Sequence, residues 1–143
     1  MTADDARRLE RTFELAERGR RTASPNPVVG CVIVRDGVVL GEAVTAPGGR
    51  PHAEEQALRT AGPAARGATA YVTLEPCGER SSGAASCSEL LVAAGVARVV
   101  VAAADSSPLA SGRGVLRLRN AGVATDLGLL SDEAAGLYVA YRA

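Results

Sequence analysis

Apolar and polar positions along the 143 residues follow two periods in turn, and so predict alternating helices and strands. Leu9, Phe13 and Ala16 recur at helical spacing, which predicts an opening helix from about Asp4 to Arg18. Thr2 and Asp5 form a capping-box-like start, and Gly19 stands where the helix can close. Val28 to Arg35 is a nearly continuous β-branched run and predicts a buried strand. Asp36-Gly37 reads as a two-residue hairpin turn, with Val38 to Val44 as the returning strand. A Gly/Pro-rich loop, Thr45 to Pro51, leads to a helix over His52 to Ala61, which Gly62-Pro63 stops. Thr69 to Thr73 is the next strand. Ser86 and Glu89 form a second capping box ahead of a helix from Cys87 to Ala94, ended by Gly95. Val96 to Ala103 predicts a strand, Gly112 to Ala121 a helix and Val123 to Asp126 a short strand. A last helix begins at Ser131, with Ala134, Leu137, Tyr138 and Tyr141 on its core face. A hairpin followed by alternating helices and strands predicts an α/β fold. Its mixed five-stranded sheet is parallel after the hairpin, with helices on both faces. Ligand sites in such sheets lie outside the carboxyl ends of strands, where Cys77 and Asp105 are both predicted.

Composition narrows the function classes. The length suits one domain with a real core, so residues 1–143 read as a single domain. Sixteen basic and sixteen acidic residues cancel, which leaves no field to attract nucleic acid or an anionic membrane. Phe13, Tyr71, Tyr138 and Tyr141 are the only aromatics, too few for a base-stacking platform. No apolar run reaches bilayer length, and the acidic start Met1-Thr2-Ala3-Asp4-Asp5 lacks the form of a signal peptide. A cytoplasmic setting follows. There an odd count of three cysteines points to metal binding or catalysis rather than disulfides.

The candidate chemistry gathers around His52, the only histidine. Glu54 follows two positions on, Pro76-Cys77 lies about one βα unit later, and Cys87 lies beyond. One imidazole and two thiolates leave one zinc position open, the arrangement of catalytic zinc. A His, a Glu two residues on, then Pro-Cys and a further Cys is the pattern of zinc deaminases. Hydrolysing an exocyclic amine needs an activated water and a group to carry its proton. Zinc with an open position serves the first and Glu54 the second. His52 and Cys87 are each predicted in a first helical turn, where the helix dipole favours thiolate over thiol. Alone, each residue has a bland reading as a capping, core or solvated side chain. The combination at these offsets is what points to a site. Cys31, inside a predicted strand, reads as a small core residue and not as a ligand. Two prolines hold Asn26 extended in Ser24-Pro25-Asn26-Pro27. It reads equally as a plain turn residue or as an amide presented to the edge of a heterocycle.

These residues resemble the cytidine-deaminase-like superfamily, and within it the pyrimidine deaminase of riboflavin biosynthesis. The stretches that carry the likeness run over most of the chain. They include Ala16-Glu17-Arg18-Gly19, Ser24 to Gly30, Pro51-His52-Ala53-Glu54, Ala68 to Cys77, Ala94 to Val99 and Gly112-Arg113-Gly114. The resemblance implies a three-layer α/β/α sandwich, one zinc ion on His52, Cys77 and Cys87, and Glu54 as proton shuttle. It implies a small-molecule substrate, the ring amine of a diaminopyrimidinone ribosyl phosphate, and assembly as a dimer or tetramer. Asn26, Ala53, Thr45, Arg80 and Asp105 take the substrate-binding positions. Three loops depart from the family pattern. Thr45 stands where a second histidine is common, Arg80 is the only basic group between the cysteines, and Asp105-Ser106-Ser107-Pro108 replaces Asp-Pro-Asn-Pro. The reductase domain usual in that family has no counterpart within these residues. Two further readings follow from the departures: a deaminase of another aminated heterocycle, and a non-catalytic scaffold that keeps zinc. Neutral charge and scarce aromatics argue against a tRNA-editing deaminase.

Overall fold

A computed structural model of the chain describes residues 2–23, 28–76, 86–103 and 112–128. Its elements, in order, are α1 (Ala3–Ala23), β1 (Gly30–Arg35), β2 (Val38–Val44), α2 (Ala53–Ala61), β3 (Thr69–Leu74), α3 (Cys87–Ala94), β4 (Arg98–Ala103), α4 (Arg113–Asn120) and β5 (Ala124–Leu127). Short 3-10 turns at Pro47–Gly49 and Gly62–Ala65 bracket α2. The helix predicted from Ser131 lies outside the described residues.

The five strands form one mixed sheet in the order β2-β1-β3-β4-β5. β1 runs antiparallel to both β2 and β3, while β3, β4 and β5 are parallel. Asp36 and Gly37 both have positive φ, 52° and 77°, the signature of a hairpin turn whose twist matches its strands. Period-two alternation then sorts the strand side chains into two cores. Val32, Val34, Tyr71, Val100 and Ala102 face α1. Cys31, Ile33, Ala70, Val72, Val99 and Val101 face α2, α3 and α4. Helices therefore cover both faces, and the layers are α/β/α.

The start of α1 follows its sequence. Asp5 N–H donates to Thr2 Oγ1 at 3.0 Å, and Thr2 N–H donates back to an Asp5 carboxylate oxygen at 3.3 Å. Its end does not. The helix runs past Gly19 to Ala23. A Cβ at Gly19 would lie 2.6 Å from Val44 Cγ2 and 3.3 Å from Val28 Cγ2. Gly19 is therefore where α1 presses on β2 and the start of β1, and it does not terminate the helix.

Strand polarity decides where function can lie. Gly30 pairs with Val44, Leu74 pairs with Ala103, and Gly30 N–H donates to Thr73 Oγ1 at 3.1 Å. The beginning of β1 and the ends of β2, β3 and β4 thus share one edge of the sheet. α2 approaches that edge over Gly41, where a Cβ would meet the Ala57 carbonyl oxygen at 2.5 Å.

Candidate metal centre

The segment from β2 to α2 sets the first candidate ligand. Thr45 continues the pairing with β1: its N–H donates to Val29 O at 3.0 Å, and its hydroxyl accepts from Val29 N–H at 2.8 Å. Thr45 is buried, so its hydroxyl serves the backbone at the start of β1. Ala46 N–H donates to Pro51 O at 3.2 Å and closes the loop on itself. The Gln56 side-chain amide donates to Val44 O at 2.8 Å and to Pro51 O at 3.1 Å, strapping both ends of that loop to α2. His52 is the residue next to this strap. Its backbone is extended, with φ −68° and ψ 158°, so it caps α2 rather than sitting within the first turn as predicted. Its carbonyl accepts from Gln56 N–H at 3.2 Å, which starts the helix.

The second candidate ligand comes from α3. Ser86 is its N-cap and accepts from Glu89 N–H at 3.2 Å, as the sequence predicts. Gly95 closes the helix in the left-handed conformation, with φ 77°. Cys87 is the first helical residue and is fully buried. The amino ends of α2 and α3 converge so that His52 Nδ1 lies 3.1 Å from Cys87 Sγ.

An imidazole nitrogen and a thiol sulfur this close are a donor pair that one zinc ion can share, at Zn–N of about 2.0 Å and Zn–S of about 2.3 Å. The residues present therefore fit zinc. A carboxylate oxygen of Glu55 comes within 4.8 Å of both atoms and completes the group that could hold a metal among the described residues. Glu55 is half-buried on the first turn of α2. In sequence it carries no metal signal, because an acid at a helix start is commonplace.

Glu54 is buried, 3% exposed, in the same turn. On β1 beneath it the Cys31 thiol is fully buried. Burial pushes its pKa up, and the negative charge of Glu54 adds to the shift. Cys31 is thus the core residue the sequence predicts. Ala53, also fully buried, opens α2. Cys77, Asn26, Arg80 and Asp105 lie outside the described residues. Their described neighbours, Pro76, Val28 and Ala103, stand at the shared edge.

Two supports were invisible in the sequence. Gln56 was one; a long amide four residues after the cap is its only trace. Glu75 is the other. It is 4% exposed, and its two carboxylate oxygens accept from Gly112 N–H at 3.0 Å and Val115 N–H at 3.1 Å, tying the end of β3 to α4.

Residues 2–103 match the family model for the cytidine and deoxycytidylate deaminase zinc-binding region. The chain is 52% identical over 126 residues to the riboflavin biosynthesis protein RibD of Escherichia coli, covering 88% of this chain and 34% of that protein. It is 43% identical to the diaminohydroxyphosphoribosylamino-pyrimidine deaminase of Buchnera aphidicola subsp. Acyrthosiphon pisum, covering 87% of this chain and 84% of that one. Among solved structures, Acinetobacter baumannii RibD superposes with a TM-score of 0.88 at 48% identity, over 94% of this chain and 38% of that one. The chain thus spans about a third of the RibD proteins it matches, and most of the Buchnera deaminase.

Proposed function

The chain belongs to the cytidine and deoxycytidylate deaminase zinc-binding family, and from that membership we propose that it hydrolyses the ring amine of a diaminopyrimidinone ribosyl phosphate. The observation that carries the reading is the 43% identity to a pyrimidine deaminase of which this chain covers 84%. It is joined to a site where His52 and Cys87 meet at 3.1 Å beside a buried Glu54. His52, Cys77 and Cys87 hold zinc in this proposal. Bound there, zinc supplies the Lewis acidity that makes water a nucleophile near neutral pH.

The chain's own residues carry the remaining steps. Glu54 takes a proton from the attacking water and passes it to the ring nitrogen. It then moves a second proton to the departing amine. The ring carbon gains an oxygen, the C–N bond breaks and ammonia leaves, so no oxidant or reductant is needed. Ala53 opens α2, and its N–H has no acceptor within the helix by helix geometry, which suits it to a substrate oxygen. Asn26 presents an amide donor and acceptor to the pyrimidine edge. Thr45 contributes by holding Val29, three residues after Asn26. Arg80 and Asp105 complete the substrate contacts. The proposed assembly is a homo-oligomer, dimer or tetramer.

Ammonia release by the zinc-loaded protein tests the reading. The panel is the diaminopyrimidinone ribosyl phosphate beside cytosine, cytidine and guanine, with Glu54→Ala as control. Release from the ribosyl phosphate, absent in the control, is expected. Release from another amine alone would reassign the substrate. Equal release by Glu54→Ala would remove the mechanism.

A further inference from the structure

We propose that Glu75 is a positioning residue for Cys77, acting through the amino end of α4. This rests on Cys77 being a zinc ligand, as proposed above. Glu75 is a carboxylate buried two residues before that ligand. Its oxygens accept from the N–H groups of Gly112 and Val115, the N-cap and third residue of α4. First-turn N–H groups have no acceptor inside their own helix, and an acceptor there is usually supplied by the N-cap side chain. Here the N-cap is Gly112, in the left-handed conformation with φ 80° and without a side chain. A strand-end carboxylate therefore does the capping from outside.

The cap draws α4 onto the strand end. A Cβ on Gly114 would overlap the Pro76 carbonyl oxygen and lie 3.4 Å from Glu75 Cγ. On its other side Glu75 N–H donates to Ala103 O at 2.9 Å, carrying the β3–β4 ladder one residue past Leu74. Residues 75 and 76 are thus gripped by β4 and by α4. Pro76 is joined to Cys77 by one peptide, with consecutive Cα atoms about 3.8 Å apart. Metal–ligand distances tolerate only about 0.2 Å. Real Cβ atoms essentially never come within 3.0 Å of a non-bonded heavy atom beyond their chain neighbours, so a Cβ at Gly114 demands a larger displacement than that. The Gly112-Arg113-Gly114 stretch then has a physical reason. One glycine takes the left-handed cap, and the other lets the helix lie against Pro76.

Zinc affinity, measured by chelator competition, tests this in Glu75→Ala, Glu75→Gln and Gly114→Ala. Cys77→Ala and the remote Asp5→Asn are the controls. Folding is followed by circular dichroism. Glu75→Ala and Gly114→Ala are expected to weaken zinc binding about 10–100-fold, the range for residues that orient ligands. Glu75→Gln, which keeps one acceptor oxygen, is expected to fall between Glu75→Ala and wild type. It decides the matter should Glu75→Ala not fold. Asp5→Asn is expected to bind zinc like wild type, although it lowers stability. Wild-type affinity in the Glu75 and Gly114 variants, with Cys77→Ala zinc-free, overturns the positioning role alone. Equal weakening in Asp5→Asn also overturns it, since general destabilisation would then explain the effect. Wild-type affinity in Cys77→Ala would instead overturn the ligand assignment, and this inference with it.

Discussion

Glu54 and Glu55 are neighbours in one helical turn, and burial separates their roles. Glu54 is 3% exposed, and its charge bears on the buried Cys31 thiol. In the proposed mechanism this buried carboxylate carries the protons, shielded from bulk water. Glu55 stands half-exposed, within 4.8 Å of the His52 and Cys87 donor atoms. The proposed set of two thiolates and an imidazole suits zinc, a borderline-soft ion, better than a carboxylate at the rim. Glu55→Gln is therefore expected to retain one zinc per chain, while His52→Ala is expected to lose it. Metal analysis of the purified variants checks both. Full zinc in His52→Ala would dissolve the proposed ligand set, and zinc loss in Glu55→Gln would make that carboxylate a ligand.

Among the elements, α1 shows how one residue type can be read in two ways. Gly19 after an amphipathic stretch has the look of a helix stop. It lies inside the helix because Val44 and Val28 need the space its Cβ would fill. In an exposed helix, Gly→Ala would stabilise by up to about 1 kcal/mol. Here crowding of a packed core, about 1–3 kcal/mol, opposes that gain. Gly19→Ala is accordingly expected to destabilise by about 1 kcal/mol net, and urea unfolding reads the sign. A stabilised variant would mean that α1 does not press on β2 at this point. The capping boxes behave differently. Thr2/Asp5 and Ser86/Glu89 were legible in the sequence because each bond spans three residues.

Across the whole molecule, Asp5 also serves a second purpose. It is 3% exposed, and Arg98 grips both its oxygens at 3.0 Å while Tyr71 Oη donates at 2.8 Å. Arg98 also binds Asp126 on β5. One network therefore ties the start of α1 to β3, β4 and β5. The Arg98 guanidinium holds the Asp5 carboxyl well below the usual carboxylate range, and burial together with the Asp5 hydrogen bond raises the Tyr71 phenol. A carboxylate with a lowered folded-state pKa stabilises fully above its unfolded value, about 3.9, and loses that contribution as pH falls below it. Asp5→Asn is expected to cost about 2 kcal/mol at pH 7, since the half-buried Arg98 loses one of its two carboxylate partners and keeps Asp126 and some solvent. The gap to wild type should close on titration from about pH 4 downward. Denaturant unfolding at several pH values checks this, and a gap that persists at low pH would place the stabilisation elsewhere.

The sequence by itself determined what depends on near neighbours. The strand and helix periods, the Asp36-Gly37 turn, the Thr2–Asp5 capping box and the Ser86 N-cap all follow from interactions over a few residues, and the described structure agrees on each. The inert Cys31 was legible for the same reason, because a thiol inside a β-branched run has nowhere to point but the core. Only the tertiary structure decided that Asp5 meets Arg98 across 93 residues, that Gly19 and Gly114 are contact glycines, and that Gln56 straps the loop ahead of His52. It also decided that Glu75 caps a helix 37 residues away. Such partners leave no local periodicity. Their identity depends on strand order, and strand order is settled by which faces can be buried together once the whole sheet has formed.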